Sequence, residues 1–502
     1  MISTPLTEAR LRGVAANPAA PSEVLLRLLA PQGRAAWAVL CGQRALPAEV
    51  VEAVLAHPDR AVRRHFARNR YAAPEERGRL ARDPQAMVRA ALAGGPRPLW
   101  PGAVAPLPDA ALEALLTARD EDFPDGQLLT TAEVASELAG SGQIPPAFRR
   151  RMATHPDPEL RRQAGPPWIW LTPEQRAALL ADPDPAVADE ARERSLVLDP
   201  AVMEARLPEE DCHFRHLVLV NYAISPAVAA RCLAERRDLW SLAANPHTPA
   251  EVLPRLARDP DPRVRERVAA RADLTPDLLA DLSEDQDDAV RTRARLHPLP
   301  RTWPQCHAVG RLIGHDADCL GPVPEMYHEP ETAWYEECAA SPHPLLRRVA
   351  ATCARLPEQW VHRLAQDQDP DVRHLLACNH PLAPPALVLE AFLALPRQRT
   401  YLLTHPRLPR TGLAHLLAHE APVVRALAAA DPTLPEPPLH LLADPDDHVR
   451  RTAAANPLLP LDLVDRLLDD PALAEGAAAH PRLPAGRLHQ LLDEAGLPER
   501  MT

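Results

Sequence analysis

Apolar positions recur along this chain in short bursts and never in long runs. In the stretch from Asn245 to Ala270, NPHTPAEVLPRLARDPDPRVRERVAA, the residues Val252, Leu253 and Leu256 fall at helical spacing and predict one buried stripe. Polar residues intervene, and a second burst follows at Val264, Val268 and Ala269, the i, i+4, i+5 pattern of another short helix. Proline punctuates both. Pro249 suits a first helical turn, where its missing N–H costs nothing, and Asp259 is placed to cap the second helix with Pro260 in its first turn. Asn245-Pro246 ends the preceding unit, because a residue before proline is pushed out of the α region. The pattern predicts two short helices and then starts again.

The restart is periodic. Asn379-His380-Pro381, His405-Pro406, Asp431-Pro432, Asn456-Pro457 and His480-Pro481 place their prolines 25, 26, 25 and 24 residues apart. A second series, Pro384, Pro409, Pro435, Pro460 and Pro484, keeps step with the first. Upstream, Pro21, Pro47 and Pro74 repeat the interval, as do Val62-Arg63 with Val88-Arg89 and Val264-Arg265 with Val290-Arg291. One such helix pair cannot hide its apolar face, but stacked neighbours can. The expectation is therefore an all-α fold, an α-solenoid of about 14–17 two-helix repeats, each of about 24–27 residues.

The unit resembles the leucine-rich repeat variant, a bacterial family of short helical repeats. It is also similar to HEAT-like repeats in its Asp259…Val264-Arg265, Asp285…Val290-Arg291 and Asp444…Val449-Arg450 spacing. The resemblance implies a right-handed superhelix in which short α and 3₁₀ helices alternate. One member of the variant family carries an N-terminal iron–sulfur cluster held by grouped cysteines. Here the first 200 residues contain only Cys41, so that cluster is not carried over.

Two stretches break the rhythm and set the expected organisation: repeats over 1–95, a degenerate repeat and loop over 96–140, and repeats over 141–297. An irregular insert over 298–340 and C-terminal repeats over 341–502 complete it. The insert gathers Trp303, Tyr327, Trp334 and Tyr335 in a chain that is 4% aromatic, together with Cys306, His307, Cys319 and Cys338. Long irregular segments in regular scaffolds often carry function, so the four aromatics are the expected partner-binding residues.

Composition narrows the chemistry. Sixty prolines against 18 glycines fit many proline-started helices and exclude collagen-like or glycine-rich low complexity. All 56 basic residues are arginine, which points to a G- and C-rich, bacterial genome, and 68 acidic residues leave a net charge of −12. No apolar run approaches the about 18 residues of a membrane span. The N-terminal MISTPLTEARLRG has Glu8 and no apolar core, so a cytoplasmic location is expected.

Specific chemistry is sparse. A metal centre needs converging thiolates or imidazoles, usually with one close Cys pair, and no C-x-x-C occurs. Cys306, His307, Cys319 and Cys338 are the weak metal candidates, and burial as small hydrophobes is the competing reading. Asp211-Cys212-His213…His216 is a fainter version. The series Arg63, Arg89, Arg265, Arg291, Arg347, Arg373, Arg425 and Arg450 would suit a phosphate backbone. Yet Arg265, Arg291 and Arg450 each lie six residues after Asp259, Asp285 and Asp444, which suits a structural Asp–Arg ladder, and the acidic total opposes polyanions. His380, His405 and His480 occupy the place of Asn or Asp in other units and are repeat-frame residues. No nucleophile elbow, P-loop, dinucleotide fingerprint or HExxH is present. The expected function is a non-enzymatic scaffold for a protein partner, without cofactor. The alternatives are a HEAT-like nucleic-acid binder or base-modifying protein, and a metal- or cluster-binding protein using the insert.

Overall fold

Proline and aspartate set the helix starts. In the computed structural model, which describes residues 4–97, 100, 105–120, 129–163, 168, 171–296, 298–313 and 332–499, proline begins helix after helix. Examples are Pro158–Arg162, Pro185–Ser195, Pro262–Ala269 and Pro370–Asn379, each preceded by an aspartate that accepts a backbone N–H. The helices are short, Pro5–Ala16 having 12 residues, and the described residues contain helices and no strands. Among them no helix is long and apolar enough to cross a membrane.

The copy at 245–270 departs from expectation in one local detail. Asp261, not Asp259, caps the second helix, accepting from Arg263 N at 2.9 Å with Pro262 in the first turn. Asp259 is buried and closes the turn instead, accepting from Asp261 N at 2.9 Å and from the Arg236 guanidinium at 3.0 Å. A buried carboxylate needs charged or N–H partners, and Asp259 has one of each. Pro249 likewise stands just before its helix, which opens as a 3₁₀ turn at Ala250–Val252 and continues as Leu253–Leu256.

The apolar bursts merge into a shared interior. Val252, Leu253, Leu256, Val264, Val268 and Ala269 pack in one cluster with Leu242 and Ala243 before them and Leu278, Leu282, Val290 and Ala294 after them. Each unit thus buries its stripe against its sequence neighbours.

A buried polar frame runs beside this core. Asn456 donates from Nδ2 to the carbonyls of Ala429 and Asp431, at 2.7 and 2.9 Å, and its Oδ1 accepts from Leu458 N. Asn245 does the same with Leu219 and Tyr222, and Asn69 with Cys41 and Arg44. These side chains satisfy carbonyls at the end of the preceding unit's second helix. At the histidine positions His380 Nε2 meets the Leu356 carbonyl at 3.0 Å, while Nδ1 of His405 and His480 accepts from Arg407 N and Arg482 N. In the degenerate stretch, Gln143 takes the asparagine's part, donating to the Leu92 and Ala93 carbonyls at 2.9 Å. The expected loop nearby falls largely at 121–128, outside the described residues.

The chain divides into two compact units, one of Met1–Ile144 with Pro381–Thr502 and the other of Pro145–His380. Both chain ends belong to the same unit.

Candidate functional site

The arginine series has a uniform geometry. Arg63, Arg89, Arg265, Arg291, Arg347, Arg373, Arg425 and Arg450 each donate from Nη1 to the backbone carbonyl six residues earlier. The six-residue spacing therefore marks a carbonyl, and the carboxylates are met elsewhere. Arg265 reaches forward to Asp285, with Nε–Oδ2 at 2.7 Å and Nη2–Oδ1 at 2.8 Å. Arg63–Asp83, Arg161–Asp182, Arg347–Asp367 and Arg425–Asp444 repeat this fork. The arginine hydrogen bond holds Asp182, Asp285, Asp367 and Asp444 below the usual carboxylate range and raises the arginines paired to them. Arg291 and Arg450 turn to Asp288 and Asp447 on their own helices. Guanidiniums committed in this way have few N–H groups left for phosphate.

The insert is helical on both sides of its undescribed centre, at Trp303–Ile313 and Thr332–Ala340. Tyr327 and Cys319 lie outside the described residues. Trp303 is half-buried, with the Arg271 guanidinium 5.3 Å above its ring. Trp334 is half-buried against Tyr335, edge to face at 4.9 Å, and Tyr335 itself is buried. Cys306, His307 and Cys338 are buried, and burial pushes the Cys338 thiol up to about 12 and raises that of Cys306. The Cys306 carbonyl accepts from Arg293 Nη2 at 3.1 Å. Among the described residues no group of three or more His, Cys, Asp or Glu could hold a metal ion.

Among the described residues the large exposed aromatics are Phe214, in the Pro145–His380 unit, and Tyr71 and Tyr401, in the unit that holds the chain ends. Tyr71 is 49% exposed and Tyr401 45% exposed. Tyr71 sits in the turn fixed by Asn69, whose Oδ1 accepts from Tyr71 N at 2.8 Å. The Arg70 guanidinium lies 4.9 Å over the Tyr71 ring and donates to its hydroxyl at 2.8 Å. Arg410, from the other end of the sequence, is anchored on the Leu403 carbonyl at 2.5 Å, in the turn that follows Tyr401. Burial and the nearby Arg70 depress Arg410, and the nearby Tyr71 hydroxyl acts in the opposite sense. Trp100 ties the same turn down, donating from its backbone N to Thr404 Oγ1 at 2.6 Å and packing on the His405 ring at 4.7 Å. Among the described residues no carboxylate pairs with Arg68, Arg70, Arg407 or Arg410. The only sequence signal for this cluster was position: Tyr71 is two residues past a frame asparagine, and Arg410 directly follows frame proline Pro409.

No protein-family model matches this chain, and no curated protein matches it. A solved structure, the crystal structure of an engineered protein, aligns over 94% of this chain and 98% of its own at 15% identity, with a TM-score of 0.13.

Proposed function

We propose that the chain is a non-enzymatic scaffold, a right-handed α-solenoid of leucine-rich-repeat-variant or HEAT-like units that holds a protein partner. The periodic asparagine frame and the Arg–Asp forks between successive units support the stacking. Stacked units of this kind form a preformed surface, so binding orders the partner more than the scaffold.

One observation carries the interaction reading: Arg70 and Arg410, which pair with no carboxylate among the described residues, lie near the exposed Tyr71 in a chain whose net charge is −12. Exposed arginine and tyrosine are the residues that most often dominate protein interfaces. An acidic segment of a partner protein fits this chemistry, since each guanidinium can take a carboxylate in a fork and each ring a flat contact. The nucleic-acid reading is weaker, because the arginines expected to follow a phosphate backbone are bonded to carbonyls and aspartates.

The test compares the intact chain with Tyr71→Ala and Arg410→Glu variants as bait in native extract, with thermal denaturation as a control. Proteins retained by the parent and lost from both variants at unchanged melting temperature support the reading. Retention equal across all three, or none at all, overturns it. Tight retardation of a nucleic acid at low salt would replace it with the alternative.

A further inference from the structure

The two chain ends meet as though they were consecutive repeats. Asn17 donates from Nδ2 to the carbonyls of Ala478 and His480, at 3.1 and 2.8 Å. That is the contact Asn456 makes with Ala429 and Asp431 one unit earlier. The helix approach is also copied. A Cβ on Gly476 would lie 2.1 Å from the Arg451 carbonyl oxygen and 2.8 Å from Ala454 Cβ; one on Gly13 would lie 2.2 Å from the Glu475 oxygen and 2.6 Å from Ala478 Cβ. In space, the unit carrying Asn17 follows the unit carrying His480.

This junction differs from the internal steps in two respects. No peptide joins its two sides directly, since the tether between them runs through the rest of the chain. An internal step that separates stays at high effective concentration because its loop holds it, and the junction has no such short tether. Its charges are also sorted by side. The N-terminal side contributes Arg10, Arg12 and Arg27; the C-terminal side contributes Asp469, Glu475, Asp493 and Glu494. Arg10 pairs with Asp469 at 2.5 Å and Glu494 at 3.1 Å, Arg12 with Glu475 at 2.8 Å, and Arg27 with Asp493 at 2.5 Å. Arg27 also donates to the Leu497 and Pro498 carbonyls and is buried. Asp469 and Asp493 are largely exposed, so salt screens much of this attraction.

We propose that the junction between residues 5–28 and 468–498 is a releasable clasp, the weakest step of its unit, closed by charge complementarity between the chain ends. Release separates the helix Pro5–Ala16 from Ala474–Ala478 and uncovers two faces built to dock on each other. An undocked helix of this length is marginal in water, so its amides lose protection when the clasp opens. This inference does not rest on the partner-binding reading and concerns a different surface.

Hydrogen exchange of the full-length chain, followed by mass spectrometry, tests it. Between low salt and about 1 M salt, peptides covering 5–16 and 474–494 should exchange about tenfold faster, the sum expected from a few screened surface pairs. A peptide covering 449–455, at an internal step of the same geometry where Arg451 makes one pair, with Glu475 at 3.4 Å, should change far less. Arg10→Glu should accelerate exchange at the clasp alone, and Arg10→Glu with Asp469→Arg should restore protection. Parallel exchange at the clasp and at 449–455 at every salt concentration overturns the proposal. So does an Arg10→Glu variant that loses protection across the whole unit.

Discussion

Arg265 grips Asp285 with two nitrogens and its own repeat's Asp259 carbonyl with a third, so one side chain braces a turn and joins two units. Both side chains are nearly enclosed, 6% and 11% exposed. Replacing Arg265 by Ala leaves Asp285 without its charged partner in that enclosure. A loss of about 2–3 kcal/mol is expected. Chemical denaturation should show a lower midpoint for Arg265→Ala than for Arg258→Ala, whose pair with Asp281 at 3.3 Å is exposed on both sides.

Acid should act through the same forks. Asp182, Asp285, Asp367 and Asp444 are held below their ordinary value of 3.8, chiefly by the arginine hydrogen bond. A depressed carboxylate contributes stability that is complete above its ordinary value and is lost as pH falls through its folded value. The contribution of the forks should therefore hold from about pH 7 to about pH 5 and be lost below about pH 4, beneath a separate decline below about pH 6.5 from rings such as His380 and His480, which burial holds below their ordinary value. Circular dichroism melts across that range check the prediction, and Arg265→Ala should flatten the acid limb.

What the sequence revealed follows from which interactions are local. Asn456 and Pro460 belong to one turn, so their spacing recurs at Asn245 and Pro249, at His405 and Pro409 and at His480 and Pro484, and the period is readable. The fork from Arg265 to Asp285 spans 20 residues, and a six-residue interval to Asp259 looked equally meaningful. Only the folded chain separates the carbonyl from the carboxylate. Gln143 was hidden because glutamine reaches the same carbonyls from a different frame. Tyr71 and Arg410 were hidden because they are separated by more than three hundred residues and come near each other only on folding, while the aromatic-rich insert drew attention to Trp303, Trp334 and Tyr335, which are half-buried or buried.

Thiol labelling should sort the cysteines by enclosure. Burial pushes Cys41 and Cys338 up to about 12, so almost no thiolate forms near neutral pH, whereas Cys212 is exposed. In a Cys319→Ser background, a maleimide should modify Cys212 rapidly in the native chain. Cys41 and Cys338 should react only on unfolding. Peptide mapping after brief labelling reads the order.

The asparagine frame predicts a graded series. Asn456→Ala removes two donors from the buried carbonyls of Ala429 and Asp431 and the acceptor of Leu458 N, for a cost of about 2–4 kcal/mol. Asn456→His should lose less. At other units a histidine ring reaches a carbonyl at 3.0 Å from Nε2, as His380 does, or accepts the turn amide at Nδ1, as His405 does. Asn456→Asp should be the worst of the three at neutral pH, because a carboxylate facing two carbonyl oxygens adds repulsion to the lost donors. Denaturation midpoints in the order Asn, His, Ala, Asp would match; Asp ahead of Ala would not.

Gly476 offers a test in which two effects oppose each other. Inside a helix, Gly→Ala is ordinarily favourable by about 1 kcal/mol. At this position the added Cβ would stand 2.1 Å from the Arg451 carbonyl oxygen, a backbone atom that cannot swing aside. The helices Asp447–Ala454 and Ala474–Ala478 must then separate, straining the neighbouring asparagine frame. Such overpacking costs about 1–3 kcal/mol, which outweighs the helical gain. Gly486, in the first turn of the helix Ala485–Glu494, has open space where a Cβ would sit, with no atom within 4 Å. Gly486→Ala should therefore raise the denaturation midpoint while Gly476→Ala lowers it, and a rise in both would show that the helices are not packed as closely as their glycines imply.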